Sequence, residues 1–155
     1  MSEAAAGAPR PARALEALAA VVGGDHLLTD DESLEFYATD VFRRADVPPL
    51  AVVRPGSVAE LQEAVRTCAR ERLAMVVRGG GASYTDGYLP VRPGTVTFDM
   101  SRLTHIDIHA EDGYVTVEPG VTWAALHAAL KPRGLRTPMW GPFSGLAATV
   151  AGGMS

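Results

Sequence analysis

The sequence predicts an α+β fold with a mixed sheet, and three observations support this prediction. Two short apolar runs, at 50–53 and 74–77, flank a helical pattern, which is typical of a parallel strand–helix–strand unit. Two alternating runs, 106–109 and 114–117, flank an Asp-Gly pair, which is a strong signal for an antiparallel hairpin. A further helical pattern follows from Thr122. Parallel and antiparallel elements in this order indicate α+β architecture.

Composition limits the classes of protein that need to be considered. The chain has 155 residues, of which 47% are hydrophobic, so it can form one domain with a real core. A formal charge of −4 gives no support for nucleic-acid binding. The single cysteine, Cys68, excludes an internal disulfide framework. With neither a secretory signal at the N-terminus nor a run of about 18 apolar residues, we expect a cytoplasmic protein without a membrane span.

The N-terminal part predicts a tail and two helices. Residues 1–11 are rich in Ala, Gly and Pro, and we expect them to be disordered, so that the folded part is 12–155. Apolar residues recur at helical spacing from Ala12 to Val22, where Gly23-Gly24 follows. A second short helix is predicted from about Asp30 to Tyr37, with acids in its first turn.

The middle of the chain predicts buried strands around a capped helix. Both apolar runs, 50–53 and 74–77, have the composition of buried strands. Between them, Ser57 and Glu60 have the spacing of a capping box, and the helix that follows is expected to bury Leu61, Val65 and Cys68.

Alternation over Thr95–Asp99 predicts another strand. After the hairpin, Thr122 is expected to cap a helix with Trp123, Leu126 and Leu130 on its buried face.

The sequence from Met75 to Pro90, MVVRGGGASYTDGYLP, predicts a binding loop at the end of a strand. The glycines at 79–81 allow positive φ and let backbone N–H groups approach an anion, and Ser83 adds a hydroxyl donor. Arg78 would place a fixed charge at the rim, suited to a phosphate. A flexible surface loop is the commoner interpretation of a glycine triplet alone. The preceding strand and the flanking residues Tyr84 and Tyr88 favour a binding loop here.

Two familiar phosphate loops do not fit this stretch. A Walker A loop requires Lys-Ser/Thr after its last glycine, whereas Ala82-Ser83 follows Gly81. The dinucleotide fingerprint requires a glycine where Tyr84 stands and then a helix, whereas 85–90 is a turn. No metal site is predicted, because the histidines at 105, 109 and 127 lack ligand spacing and are expected to be structural or exposed.

The last segment, Leu135 to Ser155, combines many glycines with apolar residues, and we expect it to pack on a flat surface. It ends just after Gly152-Gly153 with neither a cap nor a polar tail. We therefore expect the chain to be the truncated N-terminal part of a longer protein.

Three stretches together resemble a known family. They are VVRGGGASYTDGY, SRLTHIDIHAEDGYVTVEPGVTWAALHAAL and PMWGPFSGLAATVAGGMS, and their order and spacing match as well as the motifs. Over roughly Thr39 to Ser155 the chain resembles the flavin-binding half of the vanillyl-alcohol oxidase type family, which are FAD-linked oxidases with a PCMH-type FAD-binding domain.

This resemblance implies two small lobes with FAD between them, lobe 1 at about 40–92 and lobe 2 starting at about 93 and reaching 155. The first loop would hold the FAD pyrophosphate, and the implied cofactor-binding residues there are Arg78, Gly79, Gly80, Gly81, Ala82, Ser83 and Tyr84. The turn after the hairpin and the closing segment would supply Pro119, Gly120, Pro138, Gly141, Gly145, Thr149, Gly152, Gly153 and Ser155. Some relatives attach the flavin covalently to a histidine at the position of Ala82, so a non-covalent flavin is expected.

The activity implied by the resemblance is FAD-dependent oxidation of an alcohol, hydroxy acid or sugar-like substrate by hydride transfer to the flavin. The catalytic residues are unknown, and the substrate would be bound mainly outside this chain. Two alternatives remain open: a non-catalytic fragment that does not bind FAD alone, and a nucleotide-sugar reductase with the same FAD lobe. An unrelated phosphate-binding loop protein is a more distant possibility.

Overall fold

The computed structural model describes residues 10–141 and 145–155 and has helices packed on two separate sheets. The helices are α1 (Arg10–Val22), α2 (Asp31–Tyr37), α3 (Val58–Glu71) and α4 (Trp123–Leu130). The strands are β1 (Leu27–Leu28), β2 (Ala51–Val53), β3 (Ala74–Arg78), β4 (Thr95–Asp99), β5 (Ile106–His109) and β6 (Tyr114–Val117). A disordered tail was predicted for residues 1–11, but its last two residues, Arg10 and Pro11, form the start of α1. The rest of the predicted tail lies outside the described residues.

The first sheet has four strands in the order β1-β2-β4-β3. Strands β2 and β3 both run parallel to β4, and β1 is antiparallel to β2, so the predicted mixed sheet is confirmed. However, β2 and β3 are not neighbours, because β4 lies between them. All five residues of β4 are buried. Its sequence, Thr-Val-Thr-Phe-Asp, is rich in β-branched residues, which are common in the strands of a sheet. This sheet therefore extends beyond residue 92, where the first lobe was expected to end.

The prediction that β3 is a buried strand is wrong. It forms the edge of the sheet, with Met75 40% and Val77 58% exposed. Its apolar composition could not distinguish a central strand from an edge strand, because the difference depends on which strand pairs beside it.

Helices α1 and α3 pack against each other beside a core that includes Leu18, Cys68, Val96 and Phe98. The predicted buried face of α3 is partly wrong, because Val65 is 38% exposed. The buried residues of this helix are Ala64, Thr67 and Cys68.

The predicted helix cap at the start of α3 is present with one change. Ser57 Oγ accepts the N–H of Glu60 at 3.2 Å, as expected. The carboxylate of Glu60 accepts the N–H of Gly56 at 2.7 Å, one residue before the partner that a capping box would use.

Helix α2 is attached to the end of β4 through a buried carboxylate. The hydroxyl of Tyr37 donates to Asp99, the N–H of Ser101 donates to the same carboxylate at 2.8 Å, and Arg54 Nε lies 3.5 Å from it. Burial, with the hydrogen bond to Asp99 as the next cause, raises the pKa of Tyr37 to about 12. The phenol therefore stays protonated at neutral pH and remains a donor.

The second sheet is the predicted hairpin of β5 and β6, paired from Ile106 with Val117 to His109 with Tyr114. Gly113 has φ +69° in the connecting turn. Thr122 Oγ1 accepts the N–H of Ala125 at 3.1 Å and so caps α4, as predicted. The three predicted core residues of α4, namely Trp123, Leu126 and Leu130, are buried in a second core. Among the described residues, no helix is both long and apolar enough to cross a bilayer.

Candidate cofactor-binding site

A cavity of about 410 Å³ lies between the loop after β3 and the last residues of the chain. It brings together residues that are far apart in sequence, and its described lining carries no Asp, Glu, His, Lys or Arg. The loop contributes Val77, Gly79, Gly80, Gly81, Ala82, Ser83, Thr85, Gly87 and Tyr88, and the closing segment contributes Ala148, Thr149, Gly152, Gly153 and Ser155. Most of the predicted loop residues therefore meet most of the predicted closing residues at one cavity.

The loop offers backbone donors rather than charged side chains. In the described part of the chain, the N–H groups of Gly80, Gly81, Ala82 and Ser83 donate to no acceptor. Gly81 has φ +68°, a conformation that glycine adopts without strain. Successive free N–H groups around such a residue can bind an anion without a lysine or arginine. Among the described residues no helix begins directly after the loop, since the next element is β4, so this arrangement does not use a helix N-terminus.

Two of the glycines are required by close packing on the closing segment. A Cβ on Gly80 would lie 1.7 Å from the carbonyl oxygen of Ala147, and one on Gly79 would lie 2.5 Å from Thr149 Oγ1. Gly80 can accept a side chain only if the two segments separate, because its neighbour is backbone, whereas at Gly79 the Thr149 hydroxyl would have to turn away. The glycines therefore bring the loop and the closing segment together as well as freeing the N–H groups.

A second cavity, of about 280 Å³, shares Gly79, Gly80 and Thr149 with the first. It also includes Gly120, whose N–H donates to the carbonyl of Leu103 at 2.8 Å. Apart from the backbone its polar groups are the hydroxyls of Ser101, Thr104, Thr122 and Thr149. The cavity suits an uncharged part of a ligand.

Several predicted residues do not line either cavity. Gly141 and Gly145 lie against Trp123, where a Cβ would approach side-chain atoms of Trp123 to 2.0 Å and 2.6 Å. The predicted residues that are likewise absent from the two linings are Pro119, Pro138 and Tyr84. Sequence reasoning missed the role of Trp123, which also lies 3.1 Å from where a Cβ on Gly153 would be. Its helical spacing predicted only a core residue.

Arg78 does not lie at the rim of the first cavity, where sequence reasoning expected it. Its guanidinium stacks over three rings, at 4.6 Å from the centroid of Phe36, 4.7 Å from Tyr37 and 5.3 Å from Tyr88. The hydroxyl of Tyr88 in turn donates to the carbonyl of Gly81 at 2.8 Å. Arg78 therefore lies behind the loop, in an aromatic environment that stabilises a cation.

Comparison with known proteins identifies the family. The family model described as "FAD binding domain" matches residues 49–155, which is more than half of the chain. The chain belongs to this family of FAD-binding domains. FAD is the cofactor of the family, and the site fits it, since free N–H groups suit a pyrophosphate and the neighbouring apolar space suits an uncharged group.

Individual relatives agree with this assignment. The chain is 34% identical over 114 residues to D-2-hydroxyglutarate dehydrogenase of Xanthomonas citri pv. viticola, covering 73% of this chain and 24% of the relative. It is 33% identical over 122 residues to glycolate oxidase subunit GlcD of Escherichia coli, covering 78% of this chain and 24% of the relative. The chain thus spans about a quarter of the length of these curated relatives.

Among solved structures, the fold matches p-cresol methylhydroxylase with a TM-score of 0.72 at 25% identity, over 81% of this chain and 25% of the other. The expected PCMH-type fold is confirmed. The binding roles of individual site residues remain predictions.

The contact of Gly80 with Ala147 gives a direct test of the site. We predict that Gly80→Ala abolishes FAD binding and lowers the unfolding temperature, because the added Cβ must push the loop away from the closing segment. Gly24→Ala is the matched control, since nothing lies within 4 Å of its Cβ position. Flavin fluorescence titration measures binding. Equal affinity in Gly80→Ala and the wild type would show that the cavity between these segments is not the cofactor site.

Proposed function

We propose that the chain supplies the pyrophosphate-binding part of a cytoplasmic FAD-dependent oxidoreductase that acts on a hydroxy acid. The observation that most supports the proposal is the cavity between the glycine loop and the closing segment, which is lined by free N–H groups and whose described lining has no charged side chain. Cys68 is a buried free thiol whose pKa burial raises to about 11. Such a thiol is unreactive and belongs to the core.

In this proposal the loop and the closing segment hold the cofactor from opposite sides. The N–H groups of 79–83 bind the pyrophosphate, and the turn at Gly152-Gly153 approaches the ligand from the other side. Bound FAD would supply the hydride acceptor, which no side chain can provide. The residues of this chain bind the cofactor, orient it and exclude water from the cavity.

The substrate class is supported by the relatives rather than by the cavity. The two relatives reported above are named for D-2-hydroxyglutarate and glycolate, both of which are hydroxy acids. The described lining of the first cavity has no basic residue to bind a carboxylate, and no carboxylate or imidazole to remove a proton. We therefore place the substrate clamp and the catalytic base outside this lining.

Anaerobic reduction of the flavin tests the activity. We predict that D-2-hydroxyglutarate, D-lactate or glycolate bleaches the visible absorbance of the purified flavoprotein, while 2-oxoglutarate and pyruvate do not. These two 2-oxo acids are the matched controls, because they keep the carboxylate but have no hydrogen on C2 to donate as hydride. Bleaching by NADPH alone, followed by reoxidation with a nucleotide sugar, would instead support the nucleotide-sugar reductase. A protein purified without flavin that cannot bind FAD would contradict both activities.

We further propose that the flavin is held non-covalently at this loop. Ala82 lines the cavity and has no atom able to bond to the flavin, and neither a histidine nor a cysteine is found in the described lining.

Acid precipitation should therefore leave FAD in the supernatant, whereas a covalent flavin would colour the pellet. Ala82→His is the informative variant, since it restores the side chain that some members of the family use. A yellow pellet from the wild-type protein would show that the attachment prediction is wrong.

A further inference from the structure

Asp40 lies behind the glycine loop and connects two turns. It is 8% exposed, and its carboxylate accepts three backbone N–H groups. Oδ1 accepts from Phe42 at 2.7 Å and from Arg43 at 2.5 Å, which closes a local turn. Oδ2 accepts the N–H of Asp86 at 3.1 Å. Asp86 lies 46 residues further along the chain, in the turn after the loop.

The turn that Asp40 holds is strained. Asp86 has φ +58°, one of two positive values among the described residues that are not glycine. Aspartate tolerates this conformation better than most residues, but it still requires support from its surroundings. The hydrogen bond from the Asp86 N–H to Asp40 supplies that support at the strained residue itself.

Other contacts join the same two segments. The N–H of Val41 donates to the carbonyl of Ser83 at 3.2 Å. Arg43 Nη1 lies 2.8 Å from Asp86 Oδ2, but these side chains are 62% and 37% exposed, so this ion pair contributes little. Among these contacts, the carboxylate of Asp40 is the buried one.

Asp40 does not line the cofactor cavity, and any effect on the ligand must therefore pass through the loop. Ser83 lines the cavity and is tied to Val41, while Asp86 follows Thr85, another lining residue. Because the backbone is held at Ser83 and at Asp86, its path between these two residues is defined. A loop that already has its bound conformation loses less entropy when the ligand arrives.

We propose that Asp40 is a positioning residue that fixes the turn at 83–86 and so presents the loop N–H groups to the pyrophosphate of FAD. The inference rests on the proposed cofactor site but assigns a function to a segment outside it.

Asp40→Asn tests this role, because an amide can replace only one of the two carboxylate oxygens. With its oxygen on the N–H groups of Phe42 and Arg43, its NH₂ group faces the N–H of Asp86, and two donors cannot bond. The local turn is kept and the link to the loop is lost. Asp46→Asn is the matched control, as it makes the same change at an exposed position in the same segment.

We expect Asp40→Asn to weaken FAD binding roughly tenfold, in line with the loss of one charge-assisted hydrogen bond. In the FAD-free protein, hydrogen exchange should speed up at the amides of Thr85 and Asp86, which donate to Ser83 Oγ and Asp40 Oδ2, and stay unchanged in β4. The unfolding temperature of the FAD-free protein should fall by less than about 5 °C, since both cores are intact. Asp46→Asn should match the wild type in all three measurements.

Unchanged affinity in Asp40→Asn would overturn the proposal, as would faster exchange throughout the sheets, which would indicate a purely structural role. If the wild type itself does not bind FAD, the proposed function fails. The exchange comparison then decides separately whether Asp40 orders the loop. Should Asp40→Asn not fold, Asp40→Ser replaces it, since a hydroxyl can still accept one of the local N–H groups.

Discussion

The close approach of two backbone segments is the constraint on which the rest of this structure depends. Gly80 lies so near Ala147 that even a methyl group would overlap with the carbonyl oxygen. The contact joins the loop after the first sheet to the segment that follows α4, and the cavity exists because these two segments meet. Ala148 and Val150 of the closing segment belong to the core around α4, and Ala82 of the loop packs on that same core.

The site combines closely packed surroundings with a loop whose N–H groups have no acceptor. Strand β3 ends directly at the glycines, and Arg78, stacked on aromatic rings, stays behind them. On the other side Trp123 is packed against Gly141, Gly145 and Gly153 and so shapes the closing segment. What remains for a ligand is a set of free N–H groups in a cavity whose described lining has no charged side chain. An anion bound there interacts with backbone dipoles, and its affinity is expected to depend on their geometry more than on net charge.

Sequence reasoning worked where a feature depends on neighbours along the chain. The hairpin followed from Asp112-Gly113 and the alternation around it, and the cap of α4 followed from Thr122. It failed where tertiary packing decides. The position of β4 between β2 and β3, the exposure of Val77 and the rotation of α3 that exposes Val65 all depend on which elements pack together.

The candidate site shows the same division. The glycine loop and the closing glycines were recognisable because their composition is unusual. Arg78 was expected to face a phosphate, since its position beside the glycines does not reveal the aromatic rings that hold it elsewhere. Asp40 was not recognised at all. Its partner Asp86 is 46 residues away, and a single aspartate in a polar connection gives no local signal.

The most direct test of the account is a titration of ¹⁵N-labelled protein with FAD, followed by the backbone amide signals. We predict that the amides of 79–83 and of Gly152 and Gly153 shift together, with one affinity, and that ADP, which also carries a diphosphate, shifts the loop amides while adenosine does not. Shifts confined to other parts of the chain, or equal shifts with adenosine, would contradict the assignment of this loop as the pyrophosphate site.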